Sequence, residues 1–377
     1  MTDSPLSDDI ERLLEAYQGL DDPVPGSEDH AELMEQLKAD ITGISGEDPV
    51  DQAFMAPVSP LIAIVQYYLA GFVVIAMATR FDEVSIALAG LLLILGMAIL
   101  DGRPVGMAGL GTPRLTENLI YRKPGGRHLI VITASLAPIA DQNVPIPLSR
   151  ETVRLARLVS GVLTPVFVAL SVWLTEGFTI AAYLALSASF IGTVMLHWSA
   201  IKGRFVPAGS LTTDAVACIA LAQRLVARQP VDCEIQLVLS GGGWDCRSGW
   251  RTLLTDHRGD YDARPVTVIG FDGLGNGSLS LIREAGGGIP RSYRSSLADY
   301  TAKAAKKAGM DLKIIDRATS LYWLHPLTNK RFQFLVIGGE QEASSTANRL
   351  SSRSAQRLSE GVGLVEQAIR QKFDGKA

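Results

Sequence analysis

Four stretches of this chain carry no charged side chain, and they limit what it can fold into more than any other feature. They are residues 58–79 (22 residues), 84–100 (17), 158–175 (18) and 177–201 (25). A helix of about 20 apolar residues, rising 1.5 Å per residue, crosses the roughly 30 Å of hydrocarbon in a bilayer. The runs come in two pairs, each joined by a very short charged linker, so the pattern predicts two membrane hairpins. Pro60 suits a helix start, and Pro165 is tolerated as a kink.

The flanks give an orientation. The two linkers, Arg80-Phe81-Asp82-Glu83 and the one around Glu176, hold a single basic residue. The other side holds Arg103, Arg114, Arg122, Lys123, Arg127, Arg150, Arg154, Arg157, Lys202 and Arg204. Basic flanks stay in the cytoplasm. The expectation is a multi-pass protein of the cell (inner) membrane whose N-terminus and soluble segments all face the cytoplasm.

The net charge of −4 hides an asymmetry. Residues 1–57 carry fifteen acidic and two basic side chains (Arg12, Lys38), a local −13, and the remainder carries 24 acidic and 33 basic, or +9. This acidic segment reads as a helical arm. One helix is expected from Asp8 to about Gly19, with Ile10, Leu13, Leu14 and Tyr17 on one stripe. A second is expected from Glu28 to Ile41, with Leu33, Met34, Leu37 and Ile41 inward. The arm is either a docking element, for a basic partner or for the chain's own basic part, or a solvated tail. The start of the chain has neither a basic nor an apolar region of signal-peptide type. The cysteines, Cys218, Cys233 and Cys246, are odd in number and form no CxxC, which argues against a disulfide framework.

The polar segments alternate strands with helices. Strands are expected at His128–Thr133, Ile235–Ser240, Val266–Phe271 and Phe332–Ile337. Helices are expected at Thr212–Ala227, Leu297–Ala308 and Ser352–Lys372. Such alternation implies an α/β fold with a mostly parallel sheet covered on both faces. The chain then divides into an acidic arm (1–57), a first hairpin (58–100), the first part of an α/β domain (101–157), a second hairpin (158–201) and the main part of that domain (202–377).

This order of elements resembles the M28-type zinc exopeptidases, over roughly residues 115–140 and 203–372, with the second hairpin as an insertion. The resemblance implies metal ligands at five places. The family's first strand ends in His-x-Asp; here it ends Thr133-Ala134-Ser135-Leu136-Ala137, with Ser135 and Ala137 at those positions. The family's metal-bridging Asp precedes a helix; here Gly209-Ser210-Leu211-Thr212-Thr213 puts Ser210 there. The family's Glu-Glu pair, general base and ligand, is matched by Gly243-Trp244. The next strand ends in Asp in the family and here, in Phe271-Asp272-Gly273-Leu274-Gly275. The final His precedes Asp-Thr in the family; here Ser345-Thr346 matches the dipeptide, and Gln341 falls at the His.

Counting decides what such a set can do. A catalytic zinc takes about three His, Cys or carboxylate ligands and an open position, and two adjacent dications need anionic side chains to offset their repulsion. Of the implied set only Asp272 is a carboxylate. Ser135, Ser210, Gly243, Trp244, Asp272 and Gln341 are therefore expected to line a binding crevice without a metal or other cofactor.

Other chemistry is weakly signalled. No two of His30, His128, His197, His257 and His325 share an HxxxH or HxH spacing. Cys246 has no nearby histidine to act as its base. The runs Gly241-Gly242-Gly243 and Gly273-Leu274-Gly275-Asn276-Gly277 match no phosphate-binding fingerprint, and no GxSxG elbow occurs. Trp244 and Trp250 form either a binding lip or a cover. Lys303, Lys306 and Lys307 share one helix without interleaved aromatics, which argues against nucleic acid. The expected function is a non-catalytic, M28 peptidase-like scaffolding or binding subunit at the cytoplasmic membrane face. Its expected partners are the lipid bilayer and a membrane-protein complex or cytoplasmic protein. The alternative is a membrane-anchored metallo-aminopeptidase or hydrolase with an atypical metal site. A transporter-like protein is disfavoured, because no span contains a charge.

Overall fold

Four short runs of β-branched and aliphatic residues form the centre of the molecule as parallel strands. The computed structural model describes residues 6–17, 26–57, 61–78, 87–88, 90–91, 113–137, 177–196, 209–242, 247–274, 278–285, 291–292, 295–315, 322–327, 332–339 and 352–375. Its strands are β1 (Val50–Pro57), β2 (Pro113–Lys123), β3 (His128–Ser135), β4 (Cys233–Ser240), β5 (Val266–Asp272), β6 (Leu279–Ile282), β7 (Glu284–Ala285), β8 (Arg291–Ser292), β9 (Lys313–Ile315) and β10 (Gln333–Gly339). Its helices are α1 (Leu6–Ala16), α2 (Glu28–Ser45), α3 (Leu61–Ala78), α4 (Gly177–Leu196), α5 (Gly209–Ala227), α6 (Ser248–Asp256), α7 (Arg258–Asp262), α8 (Ser296–Lys307) and α9 (Ser352–Phe373). A 3-10 helix spans Tyr322–Leu327.

Eight strands form one sheet in the order β1-β2-β4-β3-β5-β10-β6-β9, and β7 and β8 pair separately. The β4-β3-β5-β10 centre is parallel. The sheet as a whole is mixed, because β1 with β2, β2 with β4, and β10 with β6 run antiparallel. The expectation of a mostly parallel sheet holds for the centre and is corrected at the flanks. Flanking strands reached by a tight turn or from outside the alternating series need no parallel crossover.

Alternate residues of the central strands build two cores, because successive side chains point to opposite faces. Ile130, Ile132, Ile235, Leu237, Ile269, Phe271, Leu335 and Ile337 pack under α5 and α9 on one side. Leu129, Val131, Val238, Val266, Val268, Phe334 and Val336 pack on the other, against Trp250, Leu253, Tyr261, Leu324 and Leu327. Burial on both faces is why these strands read as near-continuous apolar runs.

The two acidic helices lie on the first of these cores. Ile10, Leu13, Leu14, Tyr17, Leu33, Met34, Leu37 and Ile41 are buried and join the cluster that includes α5 and α9. Ser27 caps α2 by accepting from the His30 N–H at 3.1 Å, and Gly46 ends it with a left-handed φ of 79°. The apolar stripes of residues 6–45 thus cover the sheet's helices and leave their carboxylates outward.

The loop from β2 to β3 steps over β4, which lies between them. In this loop, Pro124 to Arg127, there is no room for a side chain at Gly125 or Gly126. A Cβ on Gly125 would lie 2.0 Å from the Cys233 carbonyl oxygen, and one on Gly126 would lie 2.3 Å from Asp232 Cα.

Helices α3 and α4, from the first and fourth uncharged runs, pack on each other. Ile64, Tyr67, Tyr68, Val74, Ile75, Ala182 and Leu186 form their contact. Tyr68 Oη lies 2.9 Å from Ser189 Oγ and 2.7 Å from Thr193 Oγ1 across the pair. Their outer faces are apolar, with Leu69 60%, Ile180 69% and Leu184 67% exposed. Among the described residues no helix is long and apolar enough to cross a membrane. Residues 158–175 and nearly all of 84–100 lie outside the described residues, so the four expected spans are not a finding of the structure.

Candidate functional site

The carboxyl ends of the parallel strands meet at one edge of the sheet, where a doubly wound fold places its ligand crevice. Ser135 at the end of β3 is the register partner of Ser240 at the end of β4, and Asp272 at the end of β5 is the partner of Gly338 in β10. The fold therefore brings Ser135 and Asp272 to the same edge. Ser210 lies in the first turn of α5. Gly243, Trp244 and Gln341 lie outside the described residues, as do Cys246 and the Ser345-Thr346 pair.

The side chains at this edge are committed to holding the backbone. Ser135 is buried, and its Oγ accepts from the Ala137 N–H at 3.2 Å. Ser240 Oγ donates to the Gly241 carbonyl at 3.3 Å. Asn118 of β2, fully buried, accepts from the Gly241 N–H at 3.0 Å and donates to the Gly249 carbonyl at 3.0 Å. It thereby clamps both ends of the β4–α6 connection. A Cβ on Gly249 would lie 2.3 Å from the Gly241 carbonyl oxygen and 2.4 Å from Ser240 Oγ. These glycines serve close packing of backbone on backbone. Trp250 is fully buried beside Tyr261 in the second core, so it covers the sheet and forms no lip.

One acidic residue at this edge escapes a motif-based reading. Asp214 of α5 is buried, and its two carboxylate oxygens accept from the Gly273 N–H at 2.7 Å and the Leu274 N–H at 3.0 Å. Gly273 has a φ of 70°, which lets the turn after β5 aim both amides at one carboxylate. Burial pushes the Asp214 pKa up to about 7, and the nearby Asp272 charge adds to this. The two amide hydrogen bonds work in the other direction. A signal was present in the sequence: Asp214 is the only charged residue between Gly209 and Gln223.

The described residues of this edge do not by themselves make up the ligand set of a zinc centre. The described strand ends offer two serine hydroxyls, a glycine and one half-buried carboxylate, Asp272. Asp214 already uses both oxygens on backbone amides. Among the described residues, no group of three or more His, Cys, Asp or Glu is placed to hold a metal ion.

No protein-family profile matches this chain, and no curated protein sequence does. Solved structures do. A glutaminyl cyclase from an Acidobacteriales bacterium superposes with a TM-score of 0.52 at 14% identity, covering 100% of this chain and 98% of that one. A Zn-dependent exopeptidase from Parabacteroides distasonis superposes with a TM-score of 0.51 at 10% identity, covering 98% of each chain. The fold is therefore of the zinc-exopeptidase and glutaminyl-cyclase type, an α/β fold with a mixed sheet flanked by helices.

Proposed function

We propose that this protein is a membrane-associated, non-catalytic relative of the zinc exopeptidases, acting as a binding or scaffolding subunit at the cytoplasmic face. The observation that carries this is the state of the carboxyl edge. Where the fold's enzymes need a cage of anionic ligands, the described strand ends carry hydroxyls, a glycine and the Asp272 carboxylate, with Asp214 bound to backbone amides. Two dications held a few ångströms apart repel strongly unless carboxylates offset them. The crevice therefore works without zinc.

Membrane association is supported by the α3–α4 pair. Tyr68 Oη, Ser189 Oγ and Thr193 Oγ1 face inward, and the described exposed positions are leucine, isoleucine, valine and alanine. Water favours the reverse arrangement; lipid favours this one. The basic flanks of the uncharged runs support a cytoplasmic position for the α/β unit. Its partners are the bilayer and either a membrane-protein complex or a cytoplasmic protein.

The test is turnover. Full-length protein in detergent, supplied with zinc, is assayed on aminopeptidase substrates and on peptides with N-terminal glutamine. The expected rate equals that of an Asp272→Ala variant whose thermal unfolding is unchanged. Turnover that is abolished in Asp272→Ala would favour the alternative, a membrane-anchored metallo-aminopeptidase with an atypical site.

A further inference from the structure

The chain passes between the α/β unit and the segments bearing the apolar helices at four points. It leaves at Pro57, the end of β1, and returns at Pro113, the start of β2. It leaves again after β3, beyond Ala137, and returns at Gly209, the start of α5. The strand register places all four at one edge. β3 ends there at Ser135, level with Ser240 of β4. β2 runs antiparallel to β4, so its Pro113 end lies at the carboxyl end of β4, and β1 runs antiparallel to β2, so Pro57 lies beside Pro113. The first half of α5 is fixed there too, through the bonds from Asp214 to Gly273 and Leu274. This is the edge that carries Asp272.

The β1–β2 ribbon also projects from that edge. The last partner of β2 on β4 is Leu119, which leaves residues 113–118 beyond it, about 20 Å of strand. On this projection Met55 and Leu115 are register partners and so share one face. They are 57% and 63% exposed. Three residues lie between Pro57 and Leu61, so α3 begins four Cα steps, within about 14 Å, from the ribbon's tip. An exposed apolar pair at the ribbon's tip, close in sequence to the outward apolar face of α3, matches the interfacial zone of a bilayer.

The opposite edge has a different character. There the connections 124–127, 228–232 and 263–265 stay within the described unit. A cleft of about 470 Å³ is lined there by Arg122, Arg127, Asp260 and Arg264. Charged side chains of both signs at that edge suit water.

From these relations we infer that the carboxyl edge of the sheet is the membrane-facing surface of the domain. Met55 and Leu115 seat in the bilayer interface, and the crevice around Asp272 opens onto lipid. The inference rests on the reading of α3 and α4 as membrane-seated. It adds which face of the domain meets the membrane, and it means that a ligand of the crevice is presented at the bilayer surface.

Spin labelling of the full-length protein in nanodiscs tests it. Labels are placed through Met55→Cys, Leu115→Cys, Leu69→Cys and Val231→Cys, in a Cys246→Ser background; the other two cysteines are buried. Val231 is the control, being apolar, 69% exposed and just before β4 at the opposite edge. Accessibility to dissolved oxygen is compared with accessibility to a water-soluble nickel chelate. The expected result is that labels at 55, 115 and 69 favour oxygen and the label at 231 favours the chelate. Labels at 55 and 115 behaving like that at 231, with 69 still shielded from nickel, overturn the orientation alone. A label at 69 open to the chelate overturns the membrane reading, and the inference with it.

Discussion

The carboxylate of Asp214 accepts the Gly273 N–H at 2.7 Å, tying the first half of α5 to the turn that ends β5. This bond places a buried acid beside Asp272, the one implied ligand position that retains its carboxylate. It commits the buried acid of this edge to holding the backbone.

Asp214→Asn tests that assignment. The variant presents an NH2 group where the wild type accepts two N–H donors. A cost of about 1–3 kcal/mol near pH 5 follows from one lost and one mispaired hydrogen bond. The wild-type pKa is raised from 3.8 to about 7, so the native state holds a proton there that the unfolded state has released. Stability from this group is complete below pH 3.8 and is lost as pH rises through 7. Thermal unfolding across pH 4–8 is expected to show this slope in the wild type and its absence in the variant.

Glu234 illustrates the opposite sign. Burial opposes its charge, but hydrogen bonds from Arg264 and Arg122 outweigh that and lower its pKa. Arg264 contacts both carboxylate oxygens, at 2.7 and 3.1 Å. Glu234→Gln is expected to cost about 1–3 kcal/mol at pH 7, a range kept modest because Arg122 remains partly hydrated. This stability is present above 4.5 and is lost as pH falls through the lowered value. Acid unfolding of the variant should therefore converge on that of the wild type.

Leu37 of α2 is fully buried in the core that includes α5 and α9. Leu37→Ala is expected to cost about 2–5 kcal/mol in thermal unfolding. A change under about 0.5 kcal/mol would mean that the acidic helices do not belong to the cooperative unit.

Tyr68→Phe removes the hydroxyl that links α3 to Ser189 and Thr193 of α4. For hydrogen bonds between helices in lipid, a loss of about 0.6–1.7 kcal/mol is expected, read from denaturation in mixed micelles. A neutral result would show that this contact does not hold α3 and α4 together.

The parts of this fold legible in the sequence are those whose pattern is local. The strands at 128–135, 233–240, 266–272 and 333–339 are largely apolar runs because both faces are buried, and α1 and α2 announce themselves by helical stripes. Three of the flanking strands are not legible. Val50–Pro57 alternates weakly and reads as part of the acidic arm, and Leu279–Ile282 and Lys313–Ile315 are too short to carry a period. The mixed character of the sheet followed from those strands. At the site, Asp272 could be placed because a strand end is visible in sequence. The roles of Asp214 and Asn118 could not, since their partners lie 59 and more than 120 residues away. That Trp250 points into a core depends on the packing of α6 against the sheet, which no local spacing reports.

Metal content decides whether the carboxyl edge, as proposed, works without the anionic cage of a metallohydrolase. Full-length protein is purified in detergent without chelators, after growth with added zinc, and its metal is counted by plasma mass spectrometry. The expected content is well under one zinc per chain, unchanged by Asp272→Ala. One or two tightly held zinc ions per chain, lost in that variant, would contradict it.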